Sequence, residues 1–444
     1  VDVAIAGGGL VGAALACMLA TRARAVGYKL KIALVERRPP DIDDADAPAL
    51  AKDAPQWPSL RTSTISPASV RALEQCGVWK FVPSARCASV AHMRVWEEPP
   101  KAAVVSHEGE IVFDAERDVG ERRLAVLLEN DVLRCAMYRR LAEVGDAVHI
   151  VRGEVSRLDL SQDASKWPSI AIRAAKSLSG AEEQSVSARV LVATDGRNSR
   201  IRADAGFSWF SHEYEQRAVV ANVESRASLE TSRTAYQRFL STGPVALLPV
   251  ATSRGTTVHN VVWSTTPAEA EALTACEPSD FVRELNHALE YRGAPAVVVQ
   301  SLLREREHDG HGRASFPLVL GHAPTYVRGR IVLMGDAAHA VHPLAGQGVN
   351  LGLADALALS ERAGVALASG RDLGGDDGAM LLAYQAARLP ANASAMAAIH
   401  ALKTAFDAQW APLASARAAT LSFLSTYAPP VKRALIRAAM GDIV

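Results

Sequence analysis

Gly7-Gly8-Gly9-Leu10-Val11-Gly12, with Glu36 one helix and one strand later, has the residue types that hold a dinucleotide. Gly7 permits a tight turn, Gly9 lets backbone N–H groups approach a pyrophosphate, and Gly12 lets a helix pack closely on a strand. The helix expected after Leu10, Val11 and Gly12 points its positive dipole end at that anion. Glu36 is an acceptor for ribose hydroxyls, and an acid there disfavours a phosphorylated ribose. By itself this fingerprint fits FAD and NAD equally. Two later segments have related chemistry: Thr194-Asp195-Gly196-Arg197, and Gly335-Asp336-Ala337-Ala338-His339, which runs on to Pro343 and Gly346-Gln347-Gly348-Val349-Asn350. His339 and His342 are of the type that serves as a general base. With no visible partner, a turn-shaping role for one and a packing role for the other fit better.

Those turns need strands to carry them. Val1–Ala6, Lys31–Val35, Val190–Ala193 and Gly329–Met334 are short apolar runs that read as buried strands, each ending in one of the turns or in Glu36. In an open parallel sheet, ligands lie beyond the carboxyl ends of strands, so all the turns converge on one extended molecule. Helices are expected at 13–20, 68–75, 129–144, 268–291 and 349–368, the last closed by Gly370, with alanine-rich helices to the end. Residues 86–115 and 216–264 read as strands, 293–313 as irregular, and the proline- and aspartate-rich stretch 39–58 as a mobile insertion. The fold class is therefore α/β: a Rossmann-like domain from 1–85, 122–205 and 316–370, an interleaved α+β sheet domain from 86–121 and 206–315, and C-terminal helices over 371–444.

Composition narrows the function. The chain has 444 residues, with 48 basic and 48 acidic side chains. That balance, with 5% aromatics, argues against a nucleic-acid binder. Five cysteines without a CxxC pair argue for a reducing compartment and against a zinc site or any other metal centre. No apolar run is long enough for a transmembrane helix. The absence of Met at position 1 predicts a trimmed chain whose targeting segment has been lost.

With its three turn segments in this order, the chain resembles the class A flavin monooxygenases, the para-hydroxybenzoate hydroxylase-like family. His339–Asn350 narrows the likeness to the ubiquinone-biosynthesis branch. Gln237-Arg238-Phe239-Leu240, Ala246-Leu247-Leu248-Pro249 and Trp263-Ser264-Thr265 narrow it further, to that branch's mitochondrial members. The resemblance implies FAD, with Gly335-Asp336 at the ribityl chain, Arg61 near the pyrophosphate, and Asp195 holding the turn beside it. It places Gly346, Gln347, Gly348, Val349 and Asn350 against the pyrimidine end of the isoalloxazine, where a helix N-terminus favours the charge of a reduced flavin. Pro343 would lie on the substrate ring, its carbonyl taking the phenol proton, with His342 the other catalytic candidate. Ala246, Leu247 and Leu248 would line a channel for an apolar tail, or be plain strand core.

The activity so implied is oxygen insertion from O2 into a polyprenylated phenol through a flavin hydroperoxide, which needs water excluded. No second GxGxxG is present, and the resemblance implies electrons from a ferredoxin and its reductase, or else from NAD(P)H. Membership of a quinone-biosynthesis complex is implied. So is a peripheral position on the matrix side of the mitochondrial inner membrane, helped by the basic amphipathic segment 430–440. A bacterial cytoplasmic protein, a hydroxylase of a small soluble aromatic acid and a non-catalytic flavin scaffold remain alternatives. A halogenase is disfavoured, because no WxWxI segment is present.

Overall fold

The computed structural model describes residues 1–42, 58–98, 109–160, 167–174, 183–226, 228, 230–253, 256–303, 312–343, 346–375, 378–407, 416–421, 423 and 427–441. Most of the 39–58 insertion lies outside them. The helices named below are α1 (Leu10–Ala25), α2 (Pro67–Gln75), α3 (Asn130–Val144), α4 (Arg200–Asp204), α5 (Pro267–Ala275), α6 (Pro278–Ala288), α7 (Gly348–Ala368), α8 (Ala379–Asp407) and α9 (Pro429–Met440).

A six-stranded sheet carries the turns. Its order is Val327–Arg328, Ile331–Leu333, Val190–Ala193, Val3–Ala6, Ile32–Glu36 and Val148–Arg152, parallel except for the first strand. Ala6 lies opposite Ala193, and Ala193 opposite Leu333. Three strands thus end at one level, and their turns emerge side by side. α1 is buried continuously from Gly12 to Ala20, because the sheet, α3 and α7 surround it. An alanine-rich helix that is apolar all round suits such a position. α7 ends as the sequence predicts: Gly370 has φ +67°, Arg371 N–H donates to Ala366 O and Gly370 N–H to Leu367 O, a Schellman turn.

Facing this layer is a nine-stranded, largely antiparallel sheet. Its main path is 339–340, 313–322, 210–226, 256–265, 243–253, 234–240, 92–97 and 110–114, with 299–302 paired to 210–226. One face of it packs on α5 and α6 through Trp96, Val219, Leu247, Val261, Phe281 and Leu285.

Several expectations are corrected. The helix expected over 268–291 is two helices, broken where Pro278 forces Glu277 into extended backbone. The strand expected at 329–334 spans Ile331–Leu333, and an antiparallel strand at Val327–Arg328 precedes it, turning at Gly329, φ +56°. Residues 293–313 contain paired strands at 294–295 and 299–302. The boundary drawn at 316 falls inside the strand Arg313–His322, which belongs to the large sheet. Within the C-terminal helices, α8 and α9 both reach the site described next.

Candidate active site

At the first turn Gly7 has φ +105° and Gly12 abuts it. A Cβ on Gly12 would collide with Gly7 O and come within 2.6 Å of Thr194 Oγ1, whereas a Cβ on Gly9 would meet nothing within 4 Å. Gly7 and Gly12 therefore close the turn, and Gly9 leaves its outer face open to a ligand. Glu36 sits at the end of its strand. Its Oε2 accepts from Gly8 N–H (2.9 Å) and its Oε1 from Arg38 N–H (2.8 Å). Tyr138 OH donates to Gly8 O (3.0 Å) from α3. Val11 packs against Gly335 and Gly352, so the first turn also spaces the third.

Asp195 holds its own turn: Oδ2 accepts from Arg200 N–H (2.9 Å) and Ile201 N–H (3.3 Å) at the start of α4. Arg202 then ties the second turn to the third. Its Nη2 donates to Arg197 O (2.7 Å) and its Nη1 to Ala337 O (2.9 Å), with the guanidinium 3.8 Å from the centre of Trp209.

The third turn hangs on a buried network that the sequence reading missed. Asp355 of α7 accepts from Gly335 N–H (3.2 Å), Arg388 Nε (2.8 Å) and Asn392 Nδ2 (3.0 Å), and pairs with His339 Nε2 (2.6 Å). Burial alone would raise this carboxyl's pKa, but His339 and Arg388 hold it below the usual carboxylate range. His339 is thus a turn-shaping residue. The signal was available: an acid stands in the apolar run Leu353–Leu359, and Arg388 and Asn392 are one helical turn apart. Asp336, by contrast, opens onto a cavity. The crowding walls desolvate its carboxyl and raise its pKa against the pull of His339 and Arg197. A carboxylate so placed suits a ligand that brings hydroxyl donors.

That cavity, about 610 Å³, has four walls. Asp336, Arg197 and the Thr62–Ser66 segment form one. The Gly346–Asn350 turn forms another, and no acid stands in the first turn of α7 to neutralise its dipole. The third is Gln237, Ala246, Leu248, Val262 and Ser264 of the large sheet, facing Val341 and Pro343. Leu435, Ile436, Ala439 and Met440 of α9 form the fourth.

Three expected roles change here. Leu247 is fully buried on the opposite face of its strand, in the core with α5 and α6, while its neighbours Ala246 and Leu248 line the cavity. Alternation in a strand requires this. Asn350 spends its amide on the protein. Oδ1 accepts from Ser66 N–H (2.9 Å) and Ser69 Oγ (2.8 Å), and Nδ2 donates to Thr64 O (2.8 Å), so it positions α2 and α7 together. Pro343 lines the cavity, but its carbonyl already accepts from Gly346 N–H at 2.9 Å, which leaves one lone pair for a substrate.

His342 does not line the cavity. It is buried edge-on to Tyr214, with ring centres 5.2 Å apart, and burial pushes its pKa down to about 4. His259, buried in the large sheet, is also pushed down to about 4 by burial. Both are neutral in the fold and protonate near 6.5 once unfolded, so the unfolded chain binds more protons between those values. Stability is full above pH 6.5 and falls as pH drops toward 4, by up to ~3 kcal/mol for each histidine. Urea midpoints measured across this window are expected to fall steadily with acid, and less steeply in His259→Gln.

Arg61 sits on a pinned segment. Pro58 O accepts from Asn222 Nδ2 (2.6 Å), Ser59 N–H donates to Glu129 Oε2 (2.7 Å), and Leu60 O accepts from Asn260 Nδ2 (3.2 Å). Its guanidinium makes no hydrogen bond to the described residues. Glycines that leave room only for backbone, an acceptor-bearing cavity wall and a helix N-terminus together fit an extended flavin dinucleotide. Gly7, Gly9, Gly12 and Glu36 would hold its pyrophosphate and ribose, and Asp336 its hydroxylated chain.

Comparison with known proteins agrees with this geometry. Residues 1–398 match the family described as FAD binding domain. The chain is 32% identical to the ubiquinone biosynthesis monooxygenase COQ6, mitochondrial, of Homo sapiens, covering 96% of this chain and 90% of that protein. It is also 32% identical to the protein of the same name in Drosophila melanogaster, covering 99% and 90%. The p-nitrophenol 4-monooxygenase PnpA of Pseudomonas putida shares the fold, with TM-score 0.69 at 18% identity over 99% of this chain and 98% of that one. The chain belongs to the FAD binding domain family and is an FAD-dependent monooxygenase of the ubiquinone-biosynthesis type.

Proposed function

We propose that this monooxygenase hydroxylates the ring of a polyprenylated phenol, with O2 as co-substrate. The observation that carries the reading is the cavity of about 610 Å³, in which Ala246, Leu248, Val262, Leu435, Ile436 and Met440 give an apolar lining beside the polar wall of Asp336, Arg197, Thr62–Ser66 and the α7 N-terminus. FAD supplies the oxygen-activating chemistry when bound. The chain's own residues do the rest. Gly346–Gly348 and the N–H groups of α7 stabilise negative charge at the cavity wall. Pro343 positions the ring, and its free lone pair accepts a hydrogen bond from the phenol hydroxyl. Val262, Leu248 and α9 keep water from the reacting face.

Electrons come from a ferredoxin and its reductase, a reading supported by the lack of a second GxGxxG in the sequence. The setting is a quinone-biosynthesis assembly at the matrix side of the mitochondrial inner membrane; the names of the relatives support the ubiquinone-biosynthesis and mitochondrial parts of this reading. No described helix is long and apolar enough to cross a membrane. Contact with the bilayer is peripheral, through the outward Arg433 and Arg437 of α9.

The test is a profile of prenylated phenols in a quinone-deficient host lacking its own ring hydroxylases. The intact chain is expected to restore a hydroxylated intermediate, and Asp336→Ala is not. An unchanged profile from a flavin-loaded chain co-expressed with the redox pair favours a small soluble aromatic acid as substrate.

A further inference from the structure

Beyond excluding water, the cavity wall made by α9 has no role assigned in substrate selection. Lys432, Leu435, Ile436, Ala439 and Met440 stand at i, i+3, i+4, i+7 and i+8, a single stripe of the helix. Lys432, Ile436 and Met440 are buried, and Leu435, Ile436, Ala439 and Met440 face the cavity.

The helix is pinned at both ends, to different layers. Lys432 Nζ pairs with Asp118 Oδ2 at 2.5 Å, beside the strand Glu110–Asp114 of the large sheet. At the other end Gln347 Nε2 donates to Ala439 O (3.2 Å), and Gly441, φ +80°, lies against Ala68 of α2. α9 therefore bridges the sheet that holds the substrate side and the layer that carries the glycine turns. A buried ammonium in an otherwise apolar stripe is costly unless paired, so the ion pair fixes where the stripe lies. Leu435, 49% exposed, sits at the rim between cavity and solvent, and Ile436 sits behind it at 4%.

We propose that α9 is the specificity-determining wall for the substrate's apolar chain, with Leu435 and Ile436 setting how much chain the cavity accepts. This rests on the prenylated-phenol reading above. A wall of fixed position and apolar surface rewards each buried chain segment until the chain passes the rim, where solvent removes the gain. Widening the wall behind the rim lengthens the rewarded stretch, and filling the rim shortens it.

The experiment uses FAD-loaded full-length protein and a series of 4-hydroxybenzoates with no tail, one isoprene unit and progressively more. Dissociation constants are read from perturbation of the oxidised flavin spectrum, with no turnover needed. Wild type is expected to bind more tightly with each unit up to a plateau. Leu435→Trp moves the plateau to shorter chains and weakens the longest member about tenfold, with the tail-less phenol within about twofold. Ile436→Ala moves the plateau to longer chains. Flavin content and melting temperature of each variant report on folding. A wild-type series that is flat with tail length overturns the prenylated-substrate reading, and this inference with it. A rising wild-type series that both variants follow in parallel overturns the inference alone.

Discussion

Gly12→Ala is expected to purify essentially without flavin, its FAD affinity lowered by more than about a hundredfold, or ~2.7 kcal/mol. The added methyl has nowhere to go. It would strike Gly7 O and press within 2.6 Å of Thr194 Oγ1, and that hydroxyl donates to both Ala6 O (2.9 Å) and Gly7 O (2.8 Å). Relief requires α1 to lift from the sheet, and α1 is packed on α3 and α7. Gly9→Ala separates fold from ligand. Its Cβ meets open space, so the variant is expected to fold with wild-type stability and still bind FAD more weakly, because the methyl occupies ground a pyrophosphate needs. Flavin-to-protein ratios and melting temperatures of the two variants check this. A flavin-replete Gly12→Ala contradicts the geometry. A Gly9→Ala variant with undiminished affinity places the phosphates elsewhere.

Arg388→Met is expected to cost about 3–5 kcal/mol of stability, the range for stranding a buried charge. Asp355 is wholly buried and loses its guanidinium partner, and Asn392 Oδ1 loses the Arg388 Nη2 donor at 2.7 Å. Adding Asp355→Asn to Arg388→Met removes the stranded charge and is expected to recover part of the loss, so the two changes are strongly non-additive. Asp355 has a second consequence. Its carboxyl is held below the usual range, so its contribution is complete above the unfolded carboxylate pKa and is lost as pH falls through the folded value. Denaturant titrations of the single and double variants measure both effects. Because Gly335 N–H also rests on Asp355, the single variant is expected to lose flavin as it loses stability.

Much of the site could be read from residue types. Glycines at 7, 9 and 12 with Glu36, and acids beside glycines at 195 and 335, announce strand-end turns, since few other arrangements use those residues at that spacing. The register that brings the three turns level could not be read, but it follows once the strands pair in parallel. Other features escaped for definable reasons. Leu247 and its neighbours are all apolar, so sequence cannot tell which face of the strand points to the core, and the structure chose the opposite one. Arg202, Asp355 and Arg388 act over separations of 135, 20 and 33 residues, so a local pattern can mark Asp355 as a buried acid but cannot name its partners. α9 reads as an amphipathic surface helix because its lysine looks solvated, whereas the partner that buries it, Asp118, lies far away in sequence.

The most direct test of ring hydroxylation by this chain bypasses its electron donor. FAD-loaded protein is reduced chemically under anaerobic conditions with a prenylated 4-hydroxybenzoate bound, then mixed with 18O2, and the organic product is weighed by mass spectrometry. The account predicts one labelled oxygen on the aromatic ring, in a yield that falls sharply in a Pro343→Ala variant that still retains flavin. Flavin reoxidised with all the label in hydrogen peroxide, for prenylated and tail-less phenols alike, would contradict it.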